Sequence, residues 1–150
     1  MIRTGLVALI GGVLSVGAVV AAPPASAVTY PSCNGADWQT VWVGGFPLEF
    51  QAPVVTSSGT LNCVLGSGNQ GSAVKALQKE IKQTYYVNLG YSQANISADS
   101  IYGADTKAAV KKIQTIHGVT PKDGIYGPKT RAKMCWSDSD IPSVYACGIL

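Results

Sequence analysis

The chain has 150 residues with 11 Lys and Arg against 8 Asp and Glu, four cysteines and a single histidine. One histidine leaves no base-plus-ligand set for a histidine-built metal site. No G-x-S-x-G elbow occurs, so a serine hydrolase has no support. The positive charge is concentrated: residues 28–66 carry net −2, residues 67–134 net +6 and residues 135–150 net −2.

Residues 1–27 read as a signal peptide, with Arg3 as the basic start, Leu6 to Val20 as the apolar stretch and Ala25-Ser26-Ala27 as a small-x-small cleavage site. Gly5 to Ala22 approaches the length of a membrane anchor, but no basic stop-transfer cluster follows it. The expected product is therefore secreted and free of the membrane after cleavage. Four cysteines in an exported chain imply two disulfides. Three connectivities are possible, and loop closure favours near neighbours, Cys33 with Cys63 and Cys135 with Cys147.

Residues 28–66 form a strand- and loop-rich segment. Trp38 to Val43, Pro53 to Thr56 and Thr60 to Val64 read as short strands, with Gly44-Gly45 and Ser57-Ser58-Gly59 as turns. Alone, this segment is expected to bury little core. Gly66-Ser67-Gly68-Asn69-Gln70-Gly71 matches G-x-G-x-x-G, yet no acidic residue lies about 20 positions on and no second parallel strand follows. It reads as a flexible lead-in to a helix, with no cofactor implied.

From Ser72 the apolar period becomes helical: Val74, Leu77, Ile81 and Tyr85 share one face, and Lys75, Lys79 and Lys82 another. This helix is expected to run to about Val87 and to stop near Gly90. A second helix carries Ala109, Val110, Ile113 and Ile116 and ends at Gly118. His117, beside that C-cap, reads as structural, with its cation favoured by the helix end. A third, shorter helix spans about Pro128 to Met134, and residues 135–150 read as a disulfide-pinned tail without regular structure. Asp138-Ser139-Asp140 reads as an ordinary polar loop, with calcium conceivable there on the two ligands in view.

Two phrases precede the second and third helices. Asp99-Ser100-Ile101-Tyr102-Gly103-Ala104-Asp105-Thr106 returns as Asp123-Gly124-Ile125-Tyr126-Gly127-Pro128-Lys129-Thr130, an offset of 24 residues. Such a repeat implies one supersecondary unit used twice. Tyr102 and Tyr126 either pack the turns into the core or present their rings to a ligand, and packing is the favoured reading.

These residues resemble the peptidoglycan-binding domain appended to many bacterial cell-wall hydrolases. The resemblance rests on Gly68 to Gln78, Leu89-Gly90-Tyr91, Asp99 to Val110, Ile113-Gln114 with Gly118-Val119, and Asp123 to Thr130, and covers about residues 67–134. Ser100 stands where the family pattern has Gly, Ile113 where it has an aromatic, and the stretches from Gln78 to Gly90 and from Tyr91 to Asp99 are a few residues longer. The resemblance implies a mainly α, three-helix bundle and non-covalent attachment to wall peptidoglycan or an associated anionic polymer, without catalysis. The candidate ligand contacts are Tyr91, Tyr102, Gly103, Gln114, Tyr126 and Gly127. The basic helix faces suit either solvent or an anionic wall polymer, and nucleic acid is not expected. Two rival functions remain: a secreted protein-interaction or inhibitor module using Trp38, Trp42 and Phe46, and a small lytic enzyme.

Overall fold

The structure is a computed structural model that describes residues 28–150, so the expected signal peptide lies outside the described residues. In chain order the elements are β1 (Gly35–Val43), β2 (Phe46–Val54), α1 (Ser72–Glu80), a π-helical continuation of α1 (Ile81–Asn88), a single 3-10 turn (Ser92–Ala94), α2 (Ala104–Ile116), α3 (Pro128–Arg131), β3 (Cys135–Ser137) and β4 (Tyr145–Cys147). This is an α+β arrangement and not the expected mainly α, three-helix bundle. The third helix is a single turn, and two antiparallel two-stranded sheets help to enclose the core.

The N-terminal segment contributes more than expected. Gly44 and Gly45 both have positive φ, 58° and 90°, which gives β1 and β2 the tight two-residue turn that suits strand twist. The register pairs Val41 with Leu48, Gln39 with Phe50 and Trp38 with Gln51. Period-two alternation then sends Leu48, Phe50 and Ala52 into the core. Phe50 stacks on Trp136 of β3 with ring centroids 4.9 Å apart. Burying one such aromatic is worth about 2 kcal/mol, so hairpin and tail stabilise each other across the body of the fold. The tail is therefore not an irregular loop: β3 pairs with β4, and Trp136 is wholly buried.

Disulfides join Cys33 to Cys63 and Cys135 to Cys147. The first closes the loop that contains the hairpin, and the second ties β3 to β4. Each contributes on the order of 3 kcal/mol by restricting the unfolded chain.

Helix α1 forms as its pattern predicts, with Ala73, Val74, Leu77 and Ile81 buried and Lys75, Lys79 and Lys82 exposed. It starts without a side-chain cap, at Gly71. The π-helical continuation carries the adjacent Thr84 and Tyr85 inward, and Gly90 follows with φ 74°. The Tyr85 hydroxyl accepts the Cys135 amide N–H at 2.7 Å and lies 2.8 Å from His117 Nε2. Burial pushes the His117 imidazole below its usual pKa, so the expected helix-end cation is replaced by a ring that favours the neutral form. Buried Glu80 accepts hydrogen bonds from the Thr84 hydroxyl and the Ser137 amide, joining α1 to β3. Desolvation pushes its carboxyl up to about 7.

Candidate functional site

The doubled phrase is built around a glutamine from the preceding helix. In the first copy, the Asp99 carboxylate accepts the Ile101 amide N–H at 2.9 Å, forming a local turn. Gln78 of α1 directs its amide nitrogen toward Asp99 Oδ1 (2.8 Å), the Ile101 carbonyl (2.9 Å) and Thr106 Oγ1 (3.0 Å). Its carbonyl accepts the Ser100 amide N–H at 2.9 Å. In the second copy, Gln114 of α2 directs its nitrogen toward Asp123 Oδ1 (3.0 Å), the Ile125 carbonyl (3.0 Å) and Thr130 Oγ1 (3.2 Å). Its carbonyl accepts the Gly124 amide N–H at 2.9 Å. The repeated Asp and Thr are thus acceptors for one buried amide, and the two copies share a single hydrogen-bond plan.

Both copies also hang from the glycine-rich loop. Leu65 and Tyr126 exchange backbone hydrogen bonds at 2.8 and 2.9 Å, Tyr102 N–H donates to the Asn69 carbonyl at 2.9 Å, and Gly71 N–H donates to the Ser100 carbonyl at 2.9 Å. Residues 65–71 are therefore a backbone splice between the two turns, Leu65 holding the second and residues 68–71 the first, where the sequence suggests a flexible lead-in.

This plan decides where the candidate contacts lie. Tyr102, Gln114 and Tyr126 are buried. The Tyr102 hydroxyl donates to the Gly124 carbonyl at 2.9 Å, which links the first copy to the second. The Tyr126 hydroxyl is buried with no hydrogen-bond partner. Tyr91 is half-buried, with Lys112 Nζ 5.5 Å from its ring centroid. Gly103 and Gly127 are the N-caps of α2 and α3, and each lines a groove beside its turn. The first groove, about 170 Å³, is walled by Gln78, Asp99, Ile101, Gly103 and Asp105. The second, about 350 Å³, is walled by Tyr30, Val64, Asp123, Ile125, Gly127 and Lys129.

Of the six candidates, Gly103, Gln114 and Gly127 line these grooves, while Tyr91, Tyr102 and Tyr126 do not. The exposed side chains at equivalent places are Ile101 and Ile125, 50% and 44% accessible. Gln78 escaped the sequence reading, although its signal was present. An apolar residue followed by Gln occurs at Leu77-Gln78 and again at Ile113-Gln114. Among the described residues, no group of three or more His, Cys, Asp or Glu side chains is placed to hold a metal ion.

A family described as "Putative peptidoglycan binding domain" matches residues 70–134, which include both clamping glutamines and both turns. Residues 70–134 are thus similar to the peptidoglycan-binding domain family. This chain is also similar to N-acetylmuramoyl-L-alanine amidases. It is 42% identical over 65 residues to a probable N-acetylmuramoyl-L-alanine amidase of Bacillus licheniformis, covering 43% of this chain and 18% of that one. An uncharacterized protein of Kitasatospora aureofaciens is 42% identical over 76 residues, 51% of this chain and 58% of its own length. The zinc D-Ala-D-Ala carboxypeptidase of Streptomyces albus G is 34% identical over 135 residues, 89% of this chain and 43% of the relative. That last likeness is longer than the domain and so takes in flanking sequence. The chain spans between 18% and 58% of the length of these relatives. No solved structure matches it.

Proposed function

We propose that the protein is a secreted, non-catalytic binding protein that attaches to cell-wall peptidoglycan through the grooves beside its two turns. The observation that carries this reading is the family match over residues 70–134, which contains both grooves' turn residues. The two disulfides and the domain family fit an extracellular or wall setting. Among the described residues no helix is long and apolar enough to cross a membrane. Residues 1–27 act in this reading as a leader, and residues 67–134 as the binding domain between two flanking segments.

The second groove is the better ligand site. It is the larger of the two, and it offers apolar surface at Ile125 and Val64, a carboxylate at Asp123 and a cation at Lys129. That mixture suits a short peptide or amino-sugar unit, which carries apolar, amide and charged groups close together.

Co-sedimentation with purified sacculi, with and without wall teichoic acid, tests the reading. Ile125→Asp should lower sacculus affinity at least tenfold, and Ile101→Asp should change it less than threefold. Absence of sedimentation with both preparations would sink the proposal. Loss of binding only when the acidic polymer is stripped would assign attachment to the basic helix faces instead of the groove. Pure protein should leave the turbidity of a wall suspension unchanged, and clearing would establish a lytic enzyme.

A further inference from the structure

The hairpin carries a row of side chains that lies outside the family domain. Residues two apart on a strand share a face, so Trp38, Thr40 and Trp42 of β1 line up on one side. Their partners across the pair are Gln51, Glu49 and Pro47 of β2. The opposite face is the one that feeds Leu48 and Phe50 into the core. Both indoles stand in solvent, Trp38 57% and Trp42 69% accessible. Four steps along the strand set them about 13 Å apart, far enough to touch one extended molecule at two separate rings. Large exposed aromatics grouped in this way mark a binding surface more often than chance.

A groove of about 300 Å³ opens beside Trp38, between the hairpin, α1 and the 137–142 segment. Gln51, Lys79, Gln83 and Ser139 are among its walls. Lys79 is the one cation in this wall, beside the carboxyl groups of Glu80 and Asp138, and it shares an exposed helix face with Lys75 and Lys82. Trp38 of the aromatic row and Lys79 of the helix both line this groove.

The chemistry of this face favours one kind of occupant. The core of a protein interface is apolar and depleted of charge, but here Thr40, Glu49 and Gln51 stand among the indoles. A pyranose ring has an apolar C–H face and a rim of hydroxyl and amide groups, and a β-linked chain of such rings repeats that alternation along its length. Indoles stack on the ring faces, and the intervening polar side chains meet the rims. A carboxylate carried on the chain would fall to Lys79. We propose that the outer face of β1–β2, with the groove at Trp38, is a second site that binds a linear N-acetylated amino-sugar polymer bearing carboxylates. The identification of that polymer with the wall glycan strand rests on the function proposed above.

The test is an isothermal calorimetric titration of the purified full-length protein with chitotetraose, a neutral probe, and with peptide-free glycan strands, a carboxylate-bearing one, with tryptophan fluorescence of the parent protein followed in parallel. Trp136 is buried against Phe50 and serves as an internal reference that should not respond. Saturable change with both probes is expected. Trp38→Ala combined with Trp42→Ala should weaken both at least tenfold, whereas Phe at both positions should retain most of the affinity. Lys79→Ala should weaken the glycan strands several-fold and leave chitotetraose unchanged. Thermal melts equal to the parent's exclude a folding defect.

Equal affinity in the double alanine variant would overturn the proposal. So would light scattering that shows Trp42→Ala dissolving a dimer, because the face would then be occupied by a second copy. Sacculus binding that is lost with Ile125→Asp but unaffected by the double alanine variant would overturn this site and leave the groove reading standing. Probe binding that depends on the tryptophans, in a protein that ignores sacculi, would support this site and overturn the groove reading.

Discussion

The two copies of the turn share a hydrogen-bond plan but differ in what surrounds it. Ser100 and Gly124 occupy the same left-handed conformation, at φ 71° and 72°. Ser100 is half-buried at a surface, whereas a Cβ on Gly124 would lie 2.6 Å from Lys107 Cγ and 2.8 Å from the Lys107 carbonyl. The drift from glycine in the first copy thus costs only conformational strain, and in the second it would also cost a clash. Tyr102 hydrogen-bonds across to Gly124, while the Tyr126 hydroxyl has no partner. Two residues after its glutamine, the first copy's helix carries Glu80 and the second copy's helix carries Ile116. A conserved plan therefore tolerates different surroundings, and the second copy is the more tightly enclosed.

The largest expected effects come from the glutamines. Gln114→Leu leaves the buried Gly124 amide and its companions unsatisfied and should cost about 4 kcal/mol in urea unfolding. Gln78→Leu should cost about 3 kcal/mol, because the Ser100 amide it abandons is closer to water. Equal losses would break the distinction between the copies.

The next effect belongs to the first copy's helix alone. The Glu80 carboxyl ionises at 4.5 in its ordinary state and at about 7 when folded. The unfolded chain therefore gives up this proton first, and the folded chain holds it to higher pH. Stability from this group is complete below pH 4.5 and falls as pH rises to about 7, by up to about 3 kcal/mol. Glu80→Gln should remove most of that slope, measured as unfolding free energy between pH 4 and about pH 8. An unchanged slope would show that another group titrates.

Smaller effects separate the turns themselves. Gly124→Ser should destabilise by about 2 kcal/mol through the clash with Lys107, whereas Ser100→Gly should stabilise by about 0.5 kcal/mol by relieving its left-handed strain. Tyr102→Phe should cost about 1 kcal/mol, and Tyr126→Phe should be neutral or slightly stabilising, since its hydroxyl has no bond to lose. Thermal denaturation of the four variants side by side decides the order.

Several elements were legible because their signals are local. Gly44-Gly45 marks a tight hairpin turn, the Val74, Leu77 and Ile81 spacing marks α1, and Pro128 marks the first turn of α3. β2 was harder to read because Pro47 and Pro53 interrupt it, yet a two-stranded hairpin has only edge strands, where proline is tolerated. β3 and β4 have three residues each and no period of their own. They exist because the Cys135–Cys147 bridge and the Phe50–Trp136 stack hold them. At the site, the repeat identified the turns, but equal spacing along the chain says nothing about which side chains face inward. Gln114, Tyr102 and Tyr126 share the turn pattern with Gly103 and Gly127, and only contacts made in the folded chain bury them.

By itself the sequence determined that one turn unit is used twice, that each use starts a helix, and which family the resulting domain resembles. Those are properties of short segments, set by backbone preference and by residue pattern. The tertiary structure alone decided that Gln78 and Gln114 clamp the turns, that the glycine-rich loop splices them, and that hairpin and tail complete the core. Each of these depends on contacts between residues far apart in the chain: Glu80 meets Ser137 and Phe50 meets Trp136 only once the intervening chain has folded. The doubled phrase thus names the unit, and burial assigns each of its residues to the inside or to the groove.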